Sequence, residues 1–165
     1  MNAPPTTWLA RWLLALLLLW GLGAAPRAWA ADAWQPTGGP SGGTVTALAI
    51  DRAAPSTLFA GTGGSGVFKS LDGGATWVAA SSGLDNLDVR SLALHSDGQT
   101  LFAGTAHGGV YKSLDGGATW AAANSGLGNL DVRALALHSD GQTLFAGTWG
   151  GGVYKSLDGG ATWAA

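Results

Sequence analysis

The sequence has no cysteine, no glutamate and a single methionine, and only 11% of its residues are charged. Without cysteine there is no disulfide framework, no thiolate metal site and no thiol nucleophile. All ten acidic residues are aspartates, so any mechanism that relies on a glutamate acid, base or nucleophile has nothing to act with. The formal net charge of −2 comes with no Lys/Arg cluster. That excludes the basic footprint of a nucleic-acid partner. Nothing in the residue types implies a cofactor, and none is expected.

Long apolar runs are also scarce. The longest, Trp12 to Leu22, follows Arg11 and is broken by Gly23, Pro26 and Arg27 before Ala28-Trp29-Ala30. It is about half of the ~20 residues that span a bilayer. A short positive flank, an apolar stretch and a small-x-small site together predict a signal peptide over residues 1–30, cleaved after Ala30. The expected location is therefore secreted or periplasmic, with membrane contact only during export.

What the sequence has in excess is glycine, 28 residues, and internal repetition. Ser70-Leu71-Asp72-Gly73-Gly74-Ala75-Thr76-Trp77 recurs unchanged at Ser113–Trp120 and Ser156–Trp163, spaced by 43 residues each time. Gly61–Ala103 and Gly104–Ala146 differ at eight of 43 positions. An earlier partial copy begins at Thr44. Each unit reads as four short strands. In the middle copy these are Val89–His95, Thr100–Thr105, Val110–Leu114 and Thr119–Ala123, with Asp97-Gly98 as a hairpin signal. Four strands in about 40–45 residues is the size of one propeller blade.

The predicted fold class is all-β: three four-stranded antiparallel blades that leave an incomplete propeller ring within one chain. The expected organisation is a lead-in over 31–43, blade 1 over 44–87, blade 2 over 88–130 and a truncated blade 3 over 131–165. Three blades leave exposed edges. Two explanations are open: the chain is a piece of a longer propeller, or copies assemble as a homo-oligomer that closes the ring.

The octapeptide resembles the Asp-box, or BNR, motif. Its copies provide Ser70, Asp72, Gly74, Thr76 and Trp77, then Ser113, Asp115, Gly117, Thr119 and Trp120, then Ser156, Asp158, Gly160, Thr162 and Trp163. Turn chemistry accounts for every one of them. An aspartate accepts from backbone N–H groups that the bend leaves unpaired. Glycines tolerate positive φ. The Ser and Thr can tie the two arms of the bend, and the tryptophan can wedge against a neighbouring sheet. One aspartate per turn falls short of the oxygen ligands that calcium takes, so no metal site is predicted.

Asp boxes of this kind occur in sialidases, xyloglucan-degrading hydrolases, sortilin-type receptors and a photosystem II assembly factor family. The resemblance implies a propeller with the box on the hairpin between strands three and four, away from the ligand-binding face. It does not settle activity. A sialidase would use an arginine triad and a tyrosine–glutamate pair, and this sequence offers no glutamate beside Tyr111 or Tyr154. A hydrolase needs only a suitable carboxyl pair. Yet Asp72, Asp115 and Asp158 belong to boxes and Asp97 and Asp140 to hairpins, leaving, within the blades, Asp51, Asp85, Asp88 and Asp131. No catalytic residue is assigned.

One loop stands apart. Gly104–Ala122 and Gly147–Ala165 differ at two of 19 positions, where Ala106-His107 becomes Trp149-Gly150. Both lie between strands two and three, on the face expected to carry the linker around Asp85. His107, Trp149 and Asp85 are therefore the candidate binding face, with drift in a permissive loop as the open alternative. The expected function is an exported, non-catalytic module that binds a protein or a glycan. The alternative is an extracellular glycoside hydrolase or a fragment of one.

Overall fold

The computed structural model describes residues 37–165; the predicted signal peptide, its cleavage site and the first part of the lead-in lie outside the described residues. The described chain is built of strands and turns, with eleven strands in three antiparallel sheets. Blade 1 comprises β1 (Thr44–Ile50), β2 (Leu58–Gly63), β3 (Gly66–Ser70) and β4 (Val78–Ala79). Blade 2 repeats the order with β5 (Val89–Leu94), β6 (Leu101–Thr105), β7 (Gly109–Ser113) and β8 (Ala121–Ala122). Blade 3 has β9 (Val132–Leu137), β10 (Leu144–Thr148) and β11 (Gly152–Ser156).

Each sheet is a meander with neighbouring strands paired in chain order. The fourth strand is shorter than the pattern suggests. Thr119 N–H donates to the Asp115 carboxylate and Trp120 N–H to the Ser82 carbonyl of the preceding linker, so neither is available to β7. Only Ala121 and Ala122 remain to pair with Lys112 and Tyr111. In blade 3 this fourth strand is a single bridge between Lys155 and Ala164. The third sheet therefore has three strands.

The core lies between the sheets. At the first junction, Phe59 and Val67 of blade 1 meet Val89, Leu101, Tyr111 and Trp120 of blade 2. At the second, Phe102 and Val110 of blade 2 meet Val132, Leu144, Ala146 and Trp163 of blade 3. Blade 2 thus uses both sides of its sheet, which explains strands that read as apolar on both faces. The two ends of the arc are different. Phe145 and Val153 occupy the places of Phe102 and Val110 but are 39% and 61% exposed, whereas their blade 2 counterparts are fully buried.

Candidate functional site

The topology separates two groups of loops. The three octapeptide boxes, Ser70–Trp77, Ser113–Trp120 and Ser156–Trp163, follow β3, β7 and β11, at the same end as the loops after β1, β5 and β9. Gly73, Gly116 and Gly159 N–H each donate across to those loops, at Ser56, Gln99 and Gln142 carbonyls. The β2–β3 type loops and the linkers between blades lie at the other end. Asn86 Nδ2 donates to Ala106 O at 2.6 Å, and Asn129 Nδ2 to Trp149 O at 3.0 Å. The candidate residues His107, Trp149 and Asp85 are all exposed at this second end.

The boxes are closed hydrogen-bonded units. Asp115 accepts from Ser113 Oγ at 2.8 Å, from Thr119 N–H at 2.8 Å and from Thr119 Oγ1 at 2.5 Å, and Ser113 Oγ accepts from Gly117 N–H at 2.9 Å. Ser70, Asp72, Gly74 and Thr76 repeat this pattern, as do Ser156, Asp158, Gly160 and Thr162. The threonine hydroxyl and backbone N–H, then the serine hydroxyl, hold each box carboxyl at about 2. The tryptophans reach outward. Trp120 Nε1 donates to Ala80 O and Trp163 Nε1 to Ala123 O, both 2.8 Å away on the preceding blade. Trp77 instead donates to Gly74 O of its own box.

Asp97 and Asp140 are also turn residues. Burial works against the Asp97 anion, but the backbone N–H groups of Thr100 and Gln99, the Thr100 hydroxyl and His95 outweigh it and keep its carboxyl below the usual range. Asp140 is lowered by the Thr143 and Gln142 backbone N–H groups, then by the Thr143 hydroxyl. A cavity of about 320 Å³ opens beside these turns, at the ends of β1, β5 and β9, with Arg52, His95 and His138 in its lining.

At the opposite end the side chains form a charged cluster that the sequence did not single out. Asp88 pairs with Arg90 at 2.5 Å, and Asp131 with Arg133 at 2.6 Å. That second contact joins Arg133 Nε to Asp131 Oδ1 without meeting hydrogen-bond geometry; the hydrogen bond is Arg133 Nη2 to Asp131 Oδ2, 2.8 Å. The Asp131 carboxyl is lowered first by this hydrogen bond, with the charges of His107 and Arg90 acting in the same direction. The Arg133 guanidinium also lies 5.5 Å from the ring centroid of Trp149, within cation–π range. Trp149 itself is 72% exposed. The legible signal was the recurrence of Asp-x-Arg at the entry to strand one; what it hid was the reach of Arg133 to the next loop.

His107 carries a second signal. It has φ of 67°, and it is the one non-glycine among the described residues with positive φ. The equivalent positions in the other blades are Gly64 and Gly150, with φ of 105° and 76°. A side chain has been placed where the backbone favours glycine. Asp85 is positioned differently: its backbone lies by the buried Tyr111 hydroxyl, whose ionisation is suppressed first by burial and then by the Asp85 charge.

No family model matches the sequence, and no curated protein matches it. Solved structures do resemble it. An ancestral GH74 enzyme superposes with a TM-score of 0.65 at 22% identity, covering 82% of this chain and 19% of that one. The chain carries the fold of a partial β-propeller. A GH74 xyloglucanase from Xanthomonas campestris gives 0.60 at 21% identity, over 73% of this chain and 23% of that one. YCF48 bound to D1 peptide gives 0.60 at 20% identity, over 74% and 40%. The propeller described here spans about a fifth to two fifths of the length of these proteins.

Proposed function

We propose that this partial propeller is an exported, non-catalytic module that binds a protein or a glycan through the end carrying Trp149, His107 and Asp85. The observation that carries the reading is Trp149: a large aromatic left 72% exposed, its ring beside a guanidinium held by a buried carboxylate. Exposed tryptophans backed by a fixed cation suit stacking on a sugar ring or filling a pocket on a protein. The left-handed His107 in the equivalent loop of blade 2 supports the same end, since backbone strain collects at functional sites.

The carboxylates support binding over hydrolysis. Glycoside hydrolysis takes one carboxyl with a raised pKa as the proton donor. Among the described residues, every carboxyl with a shifted pKa is lowered, by hydrogen bonds within its own turn or by its arginine partner. Likeness to GH74 enzymes favours a hydrolase as the second reading, and likeness to a YCF48 that holds a peptide favours the first.

The test is a binding screen of the purified protein against immobilised oligosaccharides and peptides, repeated with Trp149→Ala. The expected result is a ligand whose affinity falls at least tenfold in the variant, the size of an aromatic hot spot. A ligand retained undiminished by Trp149→Ala would remove this end from the account.

A further inference from the structure

The two internal junctions show what the far side of each blade accepts. Val89 packs onto the bare backbone of Gly61, so closely that a Cβ there would lie 2.6 Å from Val89 Cγ1. Val132 packs onto Gly104 in the same way, at 2.7 Å. Lys69 Nζ donates to Gly116 O of the next box at 2.9 Å while lying over the Phe59 ring, and Lys112 repeats this with Gly159 O at 2.8 Å and Phe102. Each junction is therefore a valine on a glycine, a phenylalanine and valine under a box, and a lysine tied to a box carbonyl.

Blade 3 presents the same far side with nothing on it among the described residues. Among the described residues, Gly147 meets only Ala134 of its own sheet, and Lys155 lies over Phe145 without a box carbonyl such as Lys112 reaches. Blade 1 presents the matching near side. Val45, the counterpart of Val89 and Val132, is 41% exposed, and the Gly73-Gly74 turn of its box corresponds to those that receive Lys69 and Lys112. Trp77 needs no acceptor from a neighbour, because its indole already donates to Gly74 O. At Gly74 the place taken by Phe59 or Phe102 in the other junctions is held by Thr37 of the glycine-rich lead-in.

We propose that a second copy of this chain docks head to tail on the far side of blade 3, with its own blade 1. Val45 of one copy seats on Gly147 of the other, Phe145 displaces Thr37, and Lys155 donates to the Gly73 carbonyl. The contact joins two different surfaces, so it is heterologous and can propagate or close. It is independent of the ligand reading above.

The test uses the full chain throughout, so the N-terminal segment is common to every sample. Val153→Asp breaks the far side and Val45→Asp the near side; both positions are exposed, and circular dichroism checks that each variant folds. Light scattering behind size-exclusion chromatography should find wild type in species of two or more copies and each variant monomeric. An equimolar mixture should form a dimer and go no further, because one sound junction remains. Lys155→Glu, also at an exposed position, should behave as Val153→Asp does. A wild type monomeric at every concentration, a variant that still associates alone, or a mixture that stays monomeric would each overturn the proposal.

Discussion

Val132 occupies the space beside Gly104 that a side chain on that glycine would need, with Val132 Cγ1 only 2.7 Å from the would-be Cβ. A Cβ there would also meet Ser91 Oγ of its own sheet, so the glycine is hemmed in from its own strand partner and from the next blade. Gly147 holds the equivalent place in blade 3, and its nearest neighbour is Ala134 Cβ at 3.5 Å. Gly104→Ala should therefore destabilise the fold by about 1–3 kcal/mol through overpacking. Gly147→Ala should change monomer stability by no more than about 0.5 kcal/mol. Urea unfolding of the two variants checks the contrast.

The tryptophans predict a second asymmetry. Trp120 is buried and tied to Ala80 of the previous blade, whereas Trp77 is half-buried and bonded within its own box. Trp120→Ala should cost about 3–5 kcal/mol, the range for a core aromatic. Trp77→Ala should cost distinctly less. Comparable losses at both positions, measured by denaturant unfolding, would contradict the junction account.

Acid should weaken the fold in a defined window. Asp72, Asp115 and Asp158 have folded-state carboxyls at about 2, below the ordinary 3.8. A depressed folded pKa gives stability that is present above 3.8 and lost as the pH falls through about 2. The midpoint of thermal unfolding should be flat with respect to these groups from neutral pH to about 5, then fall towards pH 2. Thr119→Val removes the hydroxyl that donates to Asp115, and should lower stability at neutral pH while narrowing the acid loss. An unchanged acid profile would mean that the box hydrogen bonds do not set it.

His107 tests the strained loop. At φ of 67° a β-branched side chain is disfavoured, so His107→Val should lose about 1–2 kcal/mol. His107→Gly should be tolerated, since Gly64 and Gly150 stand at the same place in the other blades. Thermal unfolding of both variants distinguishes a backbone effect from a lost side-chain contact.

Much of this architecture was legible from repetition. The recurrence of Ser-Leu-Asp-Gly-Gly-Ala-Thr-Trp every 43 residues marked the blades, and Asp97-Gly98 marked the hairpin between β5 and β6. Local rules sufficed there because the contacts are local: the box aspartates bond within four residues of themselves. The fourth strand was overextended because Trp120 N–H goes to Ser82, 38 residues earlier, a partner that no local pattern reveals. The placement of Trp149 on one end with His107 and Asp85 followed from blade topology. The stacking of Arg133 beneath it did not, because it depends on how strand β9 and the β10–β11 loop lie in space.

We propose that this propeller binds without turning over its ligand. Release of chromophore from aryl glycosides and of reducing ends from xyloglucan, measured with the purified protein, tests it most directly. The account predicts no turnover above the uncatalysed background at any pH from 4 to 8, roughly the range in which the lowered carboxyls are anions. Sustained turnover that disappears on replacing Asp88 or Asp131 with Asn would contradict it.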